Sequence, residues 1–417
     1  MASIINIKEL FTPNMSNNLV SKTKGDRVIW GIVVILTLIS LLVVYSSTGS
    51  LAYKYSKSTE SYLFKQFAFI ILGILLIYFA HRVNYTIYAR VAKILFLISI
   101  PLMIYTLMFG SRLNSANRWI TLPVINMTMQ TSDLAKLALF MYLSLQLSRK
   151  QNVIKDFKKG FLPIIIPVVI ICALIAPANL STALLVGATS FMLMFIGRVN
   201  TKHLLVSIGV AMIPIVILFA IAVSTYDKEN HRTKELPGIF DPGRVKTWIS
   251  RIQTFVYSSK NDETEKTYQI NQAKIAIANG GWLGKGPGNS EARNFLPHSY
   301  SDFIYAIIIE EYGFMGAAFM VFIYLLFLYR CIRLYRKCPY AFGAFLALAL
   351  SFTLVIQAMA NMGVAVNAFP NTGVTLPLVS MGGSSFLFTC LSIGIILSVA
   401  RNVEQLEGKN QPVIVNE

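Results

Sequence analysis

Ten stretches of this chain carry too much apolar side chain to sit in water: 28–47, 64–80, 91–109, 133–147, 161–176, 180–196, 203–224, 302–328, 341–365 and 384–400. The hydrocarbon core of a bilayer is about 30 Å thick and takes roughly 20 residues of α-helix. Several of the ten fall short of that, so their helices are expected to run past the apolar cores. Of 417 residues, 55% are hydrophobic and only 13% are charged, more apolar sequence than a soluble domain needs. The expected fold is an all-α polytopic membrane protein with about ten transmembrane helices.

A net charge of +18 suggests a nucleic-acid partner until its distribution is considered. Lys and Arg crowd alternate short loops: Lys8, Lys22, Lys24 and Arg27, then Arg82 and Arg90, then Arg149 to Lys159. They return at Arg198 and Lys202, from Arg330 to Lys337, and at Arg401 and Lys409. The intervening short loops hold only Lys54, Lys57, Arg112 and Arg118. That is the positive-inside pattern of a membrane protein with both termini cytoplasmic, and no nucleic acid is expected. The chain then divides into a cytoplasmic tail at 1–27, a transmembrane domain at 28–401 and a second cytoplasmic tail at 402–417. Residues 225–301 make a long extracytoplasmic loop between helices seven and eight. The first span reads as an uncleaved signal anchor, because no small-residue cleavage pattern follows it. Cysteines 172, 331, 338 and 390 fall within spans or on the cytoplasmic side, where no disulfide is expected.

The densest chemistry lies between Tyr268 and Gly316. A glycine-punctuated run from Gly280 to Ser290 leads to Leu296-Pro297-His298-Ser299-Tyr300-Ser301-Asp302-Phe303, which enters the eighth apolar stretch. Asp302 stands at the mouth of that helix, where water still reaches. Glu310 and Glu311 follow two turns on, roughly 12–13 Å deeper along a continuous helix. A charge at that depth costs about 2.5–3.5 kcal/mol on insertion scales, so it is functional or paired. At 3.6 residues per turn, Asp302 and Glu310 differ by about 80° and Asp302 and Glu311 by about 180°, so the three cannot share a face. Asp302 is therefore the candidate catalytic group and the glutamates support it, with a buried base such as Lys136 as their candidate counter-ion. A lone aspartate at a helix start is more often a cap, and glycines in a loop more often make ordinary turns.

Three further clusters bear on the same side. Asn117-Arg118-Trp119-Ile120 precedes Gln130-Thr131-Ser132-Asp133-Leu134-Ala135-Lys136. Trp119 fits an interfacial aromatic belt. Thr131 or Ser132 can cap the fourth span, and Asp133 suits its N-terminus. Lys136 lies one turn into an apolar helix, where it either snorkels to headgroups or joins Arg118 in an outward-facing anion site suited to a pyrophosphate. Pro177-Ala178-Asn179 is a tight hairpin of residues any turn would use. The connection from 367 to 385 is uncharged and apolar, yet broken by Pro370, Gly373, Pro377, Gly382 and Gly383. Backbone of that kind at membrane depth must be buried in protein or line a wet cavity, so a re-entrant loop is expected. Gly382-Gly383-Ser384-Ser385, opening a helix, offers N–H groups and hydroxyls to phosphate oxygens, against the plainer alternative of an ordinary helix cap.

In this order the motifs resemble those of the SEDS family of polytopic membrane glycosyltransferases, the FtsW/RodA proteins, from about Trp30 to Arg401. The family's Arg-Trp-Ile element appears as Arg118-Trp119-Ile120, and its Gln-Pro-Ser-Glu…Lys element as Gln130-Thr131-Ser132-Asp133…Lys136. Its Leu-Pro-Glu-x-His-Thr-Asp-Phe element appears as Leu296 to Phe303, and its Leu-Pro…Gly-Gly-Ser-Ser element as Leu376-Pro377…Gly382-Gly383-Ser384-Ser385. Departures are Thr131 and Asp133 for Pro and Glu, Asn179 for Asp, His298 and Tyr300 for Glu and His, and Met381 for Tyr. Gly286-x-Gly288-Asn289-Ser290 is closer to the division branch than to the elongation branch, whose role stays open.

The resemblance implies a peptidoglycan glycosyltransferase that polymerises lipid II into glycan strands at the outer face of the bacterial cytoplasmic (inner) membrane, at the division septum. Asp302 would be the general base. Arg118, Trp119, Lys136, Gly382, Gly383, Ser384 and Ser385 would bind substrate, with Asp133, Glu310 and Glu311 in support. A divalent cation, magnesium or manganese, would help neutralise the pyrophosphate, its ligands unknown; no organic cofactor is implied. The implied partners are lipid II, a class B penicillin-binding protein transpeptidase and other division proteins. Two other classes stay open: a flippase or transporter of lipid-linked precursors, since intramembrane carboxyls and a broken connection suit a transport path too, and a non-catalytic division scaffold. No inverted repeat is visible and the ionisable residues gather at the outer face, which favours the enzyme.

Overall fold

The structure, a computed structural model, describes residues 25–49, 59–113, 116–122, 127–227, 232–233, 244–257, 265–296 and 299–409. Helices stand at all ten of the expected positions: α1 (Arg27–Ser47), α2 (Thr59–Arg82), α3 (Tyr85–Phe109), α4 (Thr131–Arg149), α5 (Leu162–Ile175), α6 (Leu180–Ile196), α7 (Thr201–Ser224), α10 (Ile304–Lys337), α11 (Ala341–Ala365) and α12 (Ser384–Lys409). Two more, α8 (Arg244–Tyr257) and α9 (Glu265–Gly280), lie in the long segment after α7. Among the described residues, eight helical spans are long and apolar enough to cross a membrane. α6 is apolar but has only 17 residues. α4 carries Asp133 and Lys136, and its apolar side chains are almost all buried in protein. Such a helix needs no lipid-facing stripe, whereas α7, with only Leu204 and Ala222 buried, presents its apolar surface outward.

Several helices overrun their apolar cores, as the bilayer thickness requires: α2 begins at Thr59, α3 at Tyr85, and α10 continues to Lys337. α11 lies at the centre, against α4, α6, α10 and α12, and α12 packs along α2. The α2–α12 seam is close because it meets at glycines. A Cβ at Gly394 would lie 2.6 Å from the Ala80 Cβ, and one at Gly73 would lie 2.6 Å from Cys390 Sγ. Small residues of this kind let membrane helices approach backbone to backbone.

The all-α fold is the one expected, with two local departures. Residues 111–130 hold a three-stranded antiparallel sheet, β1 (Ser111–Leu113), β2 (Ala116–Leu122) and β3 (Met127–Gln130), and β4 (Tyr226–Asp227) pairs with β5 (Arg232–Thr233). The helix expected to run unbroken from 302 is interrupted. Its N-cap is Phe303, and Gly313 sits at φ 65°, ψ −166°, far from helical values. Asp302 is thus the residue before the cap, outside the helix, and Glu310 and Glu311 belong to a short leading segment that ends at the break.

Candidate functional site

The leading segment of α10, from Ile304 to Glu311, is buried on every side, so it lies inside protein and not against lipid. The glycine run completes it. Lys285 N and Gly286 N donate to the Glu310 and Glu311 carbonyls, both at 2.9 Å, while Phe314 N and Met315 N donate to the Gly281 and Trp282 carbonyls at 2.9 and 3.3 Å. The loop therefore caps both helix ends created at Gly313, satisfying backbone groups that a broken helix leaves open. The fit has no spare room: a Cβ on Gly284 would lie 2.2 Å from the Glu311 carbonyl oxygen.

The side chains of the two glutamates lock the same joint. Glu310, 0% exposed, accepts from Ser290 Oγ at 2.5 Å and from Glu291 N and Ala292 N at 3.2 Å each. Lys285 Nζ lies 3.6 Å from Glu310 and 3.1 Å from Glu291. The Glu291 hydrogen bond, with the charges of Glu291 and Glu310 behind it, raises the Lys285 ammonium above its ordinary range. Glu311 accepts from Ser46 Oγ at the end of α1, and Arg293 donates to the Ser46 carbonyl at 3.2 Å. Lys136 is not the glutamates' partner, contrary to the expectation from depth. Their counter-charges come from the loop that folds back onto the break.

Asp302 is half-buried in a turn segment, Ser299 to Phe303, whose carbonyls are held from outside. Met381 N donates to Tyr300 O at 3.1 Å, Ser380 Oγ to Ser301 O at 2.7 Å, and Asn361 Nδ2 to Asp302 O at 3.0 Å. Gly373, at φ +62°, brings bare backbone to the carboxylate: a Cβ there would sit 3.7 Å from Asp302 Oδ2. The 367–383 connection is thus packed against Asp302, with the Val374, Leu376 and Val379 side chains buried, as irregular backbone at such depth requires. Arg251 of α8, which the sequence gave no reason to single out, also faces Asp302. Burial pulls its guanidinium below the usual range, and the Asp302 carboxylate opposes that pull. His298 and Pro297 lie outside the described residues.

The remaining candidates are joined through the sheet. Trp119 on β2 pairs in register with Gln130 on β3, and Gln130 N donates to Ser384 Oγ at 3.2 Å. The Arg-Trp-Ile, Gln and Gly-Gly-Ser-Ser motifs therefore share one connected corner. Gln130 itself is the N-cap of α4 and makes no side-chain cap bond, so neither Thr131 nor Ser132 serves as the cap expected. Gly383, at φ +52°, turns the chain into α12 with open space beside it, and Ser385 N bonds back to Gly382 O at 3.0 Å.

Arg118 and Lys136 are not brought into one pocket. Arg118 Nε donates to Ala178 O at 2.7 Å and borders a small cavity with Gln130, Thr131, Ser132 and Asn179. Lys136 is paired with Asp133 at 2.7 Å, the two side chains 14% and 4% exposed. They border a second cavity, partly open, with Gln357, Ser385, Thr389 and Ser392. Gln357 and Asn361, one turn apart on α11, link that cavity to Asp302. Asn179 is a plain cap, accepting from Thr182 N at 3.3 Å. Among the described residues no group of three or more His, Cys, Asp or Glu converges. Those residues form no ready-made divalent cage.

A multi-pass helical membrane protein with a carboxylate held between a broken helix and a re-entrant connection is a defined class of molecule. The chain belongs to the FtsW/RodA/SpoVE family of cell cycle proteins, whose family model it matches over residues 26–405. A probable peptidoglycan glycosyltransferase FtsW of Trichlorobacter lovleyi is 29% identical over 391 residues, 92% of this chain and 96% of that one. A probable peptidoglycan glycosyltransferase FtsW of a Geobacter species (strain M18) is 30% identical over 379 residues, 90% and 96% of the two chains. Among solved structures, a chain from a peptidoglycan synthase complex that coordinates polymerization and crosslinking superposes with a TM-score of 0.67 at 23% identity, covering 91% of this chain and 99% of that one. That likeness is one of fold.

Proposed function

We propose that this protein is a peptidoglycan glycosyltransferase that polymerises lipid II into glycan strands during septal cell division. The observation that carries the reading is Asp302. It is a half-buried carboxylate fixed by its own backbone at the mouth of α10, in a family whose curated relatives bear the name probable peptidoglycan glycosyltransferase FtsW. A general base must sit where a sugar hydroxyl can reach it and where its geometry is set in advance. In this mechanism Asp302 takes the proton from the acceptor GlcNAc 4-hydroxyl as that oxygen attacks the donor MurNAc anomeric carbon. The anomeric centre inverts and undecaprenyl pyrophosphate leaves.

Arg118, Trp119 and the Gly382–Ser385 turn form the corner assigned to the lipid-linked pyrophosphate. Lys136 joins them once the phosphate competes with Asp133 for its ammonium. Glu310 and Glu311 hold the joint that carries Asp302. Positive-inside charge puts both termini in the cytoplasm and this end of the bundle outside, in the bacterial inner membrane at the septum. The partner proposed is a class B penicillin-binding protein transpeptidase alongside other division proteins, supported by the shared fold with a chain of a peptidoglycan synthase complex.

The test is polymerisation of purified lipid II by the reconstituted protein, with and without the cognate transpeptidase. Glycan polymer is the expected product; none under any condition would leave a flippase or a scaffold instead. Arg251 supplies a second check. Replacing it with glutamine removes a cation that favours the charged form of Asp302, so the acid limb of the pH–rate profile should move to higher pH. An unmoved limb takes Arg251 out of the site.

A further inference from the structure

Three consecutive carbonyls, those of Tyr300, Ser301 and Asp302, accept hydrogen bonds from three separate donors outside their own segment. No regular secondary structure holds this stretch, and the helix it feeds has no side-chain cap at Phe303. Those three donors fix the backbone that carries the Asp302 side chain. Two of them are side chains. Asn361, 1% exposed, spends its amide N–H groups on Asp302 O at 3.0 Å and Val374 O at 2.7 Å. Ser380 Oγ donates to Ser301 O and accepts from Leu376 N at 2.8 Å. One turn before Asn361, Gln357 Nε2 donates to Thr375 O at 3.0 Å. Helix α11 thus grips the re-entrant connection at two successive carbonyls and Asp302 at a third.

We infer that Asn361 and Ser380 are positioning residues that aim the Asp302 carboxylate, with Asn361 clamping the catalytic stretch and the re-entrant connection to α11 at one point. Packing alone does not require an amide at 361, since an apolar side chain of that size would fill the same space inside a membrane protein. The use of both N–H groups on carbonyls, one of them Asp302's own, is what gives the residue its role. The Asn361 Oδ1 atom has no partner, which is the cost of choosing a double donor at a buried position.

This inference rests on the polymerase reading, and the experiment separates the two. Initial rates of lipid II polymerisation are measured in proteoliposomes for wild type, Asn361→Ala, Ser380→Ala, Asp302→Asn and the double variant Asp302→Asn/Asn361→Ala. A misplacement of the base by about 1 Å costs on the order of 10²-fold, so Asn361→Ala should lose that much in kcat with KM for lipid II little changed. Because Asn361 acts through Asp302, adding Asn361→Ala to Asp302→Asn should slow the enzyme no further. A residue that merely stabilises the fold would lower the rate of the double variant again. Ser380→Ala, which removes only a hydroxyl, carries the same comparison together with Asp302→Asn/Ser380→Ala if Asn361→Ala does not fold. Wild type without polymer overturns the polymerase reading and this inference with it. Wild type with polymer and Asn361→Ala at the wild-type rate, or a fully additive double variant, overturns this inference alone.

Discussion

Replacing Asp302 with asparagine should lower lipid II polymerisation by about 10²–10⁴-fold, the contribution of a positioned general base, while the protein still folds and inserts. Asparagine keeps the shape of the side chain and leaves the Asp302 carbonyl available to Asn361, whose 3.0 Å bond anchors the stretch. It cannot take up a proton. The loss should therefore fall on kcat at every pH, and raising the pH should not restore it. Arg251, already desolvated, loses its facing charge in this variant, so the melting temperature should fall modestly. The measurement is polymer yield from purified lipid II beside a thermal unfolding curve of the same preparation. A variant that polymerises near the wild-type rate would remove Asp302 from the chemistry, whatever the family.

Much of this site is legible in the amino-acid sequence, and the parts that are not share a cause. Asp302-Phe303 stands out because Asp302 leads into an apolar run that carries two more carboxyls, Glu310 and Glu311, whereas a lone aspartate there would read as a cap. The 367–383 connection stands out because prolines, glycines and an absence of charge cannot make a span and do not resemble a solvated loop. Gly313 does not stand out: one glycine in an apolar run is tolerated in many helices, and nothing local says that a distant loop will enter the backbone there. The same blindness assigned the glutamates to Lys136. Depth along a helix is a one-dimensional quantity, whereas their partners, Lys285, Ser290 and Ser46, arrive by tertiary folding. Arg251 is silent in the sequence because a basic residue in a long polar loop is the default. Asn361 and Gln357 are legible only in retrospect, as two amides spaced four apart in a helix that otherwise has no use for them.

Gly313→Ala is the substitution expected to do most harm to the fold, and its neighbour Gly281 supplies the comparison. At φ 65°, ψ −166° Gly313 occupies a region essentially closed to residues with a Cβ, a strain of about 1–3 kcal/mol. The new Cβ would also stand 2.4 Å from the Trp282 carbonyl oxygen and 2.5 Å from Gly284 N. Both are backbone atoms of the loop that caps the break, so no rotamer change relieves the overlap, and overpacking of that sort costs about a further 1–3 kcal/mol. Gly281 is also left-handed, at φ +52°, but has nothing within 4 Å of where its Cβ would go. Gly281→Ala should therefore carry the backbone penalty alone, about 1–2 kcal/mol. Thermal unfolding in detergent should place Gly313→Ala well below Gly281→Ala, and only the former should also lose polymerisation, because the displaced loop takes Glu310, Glu311 and the start of α10 with it. Equal melting temperatures for the two variants would mean that the loop does not occupy the break as described, and that the joint beneath Asp302 is held in some other way.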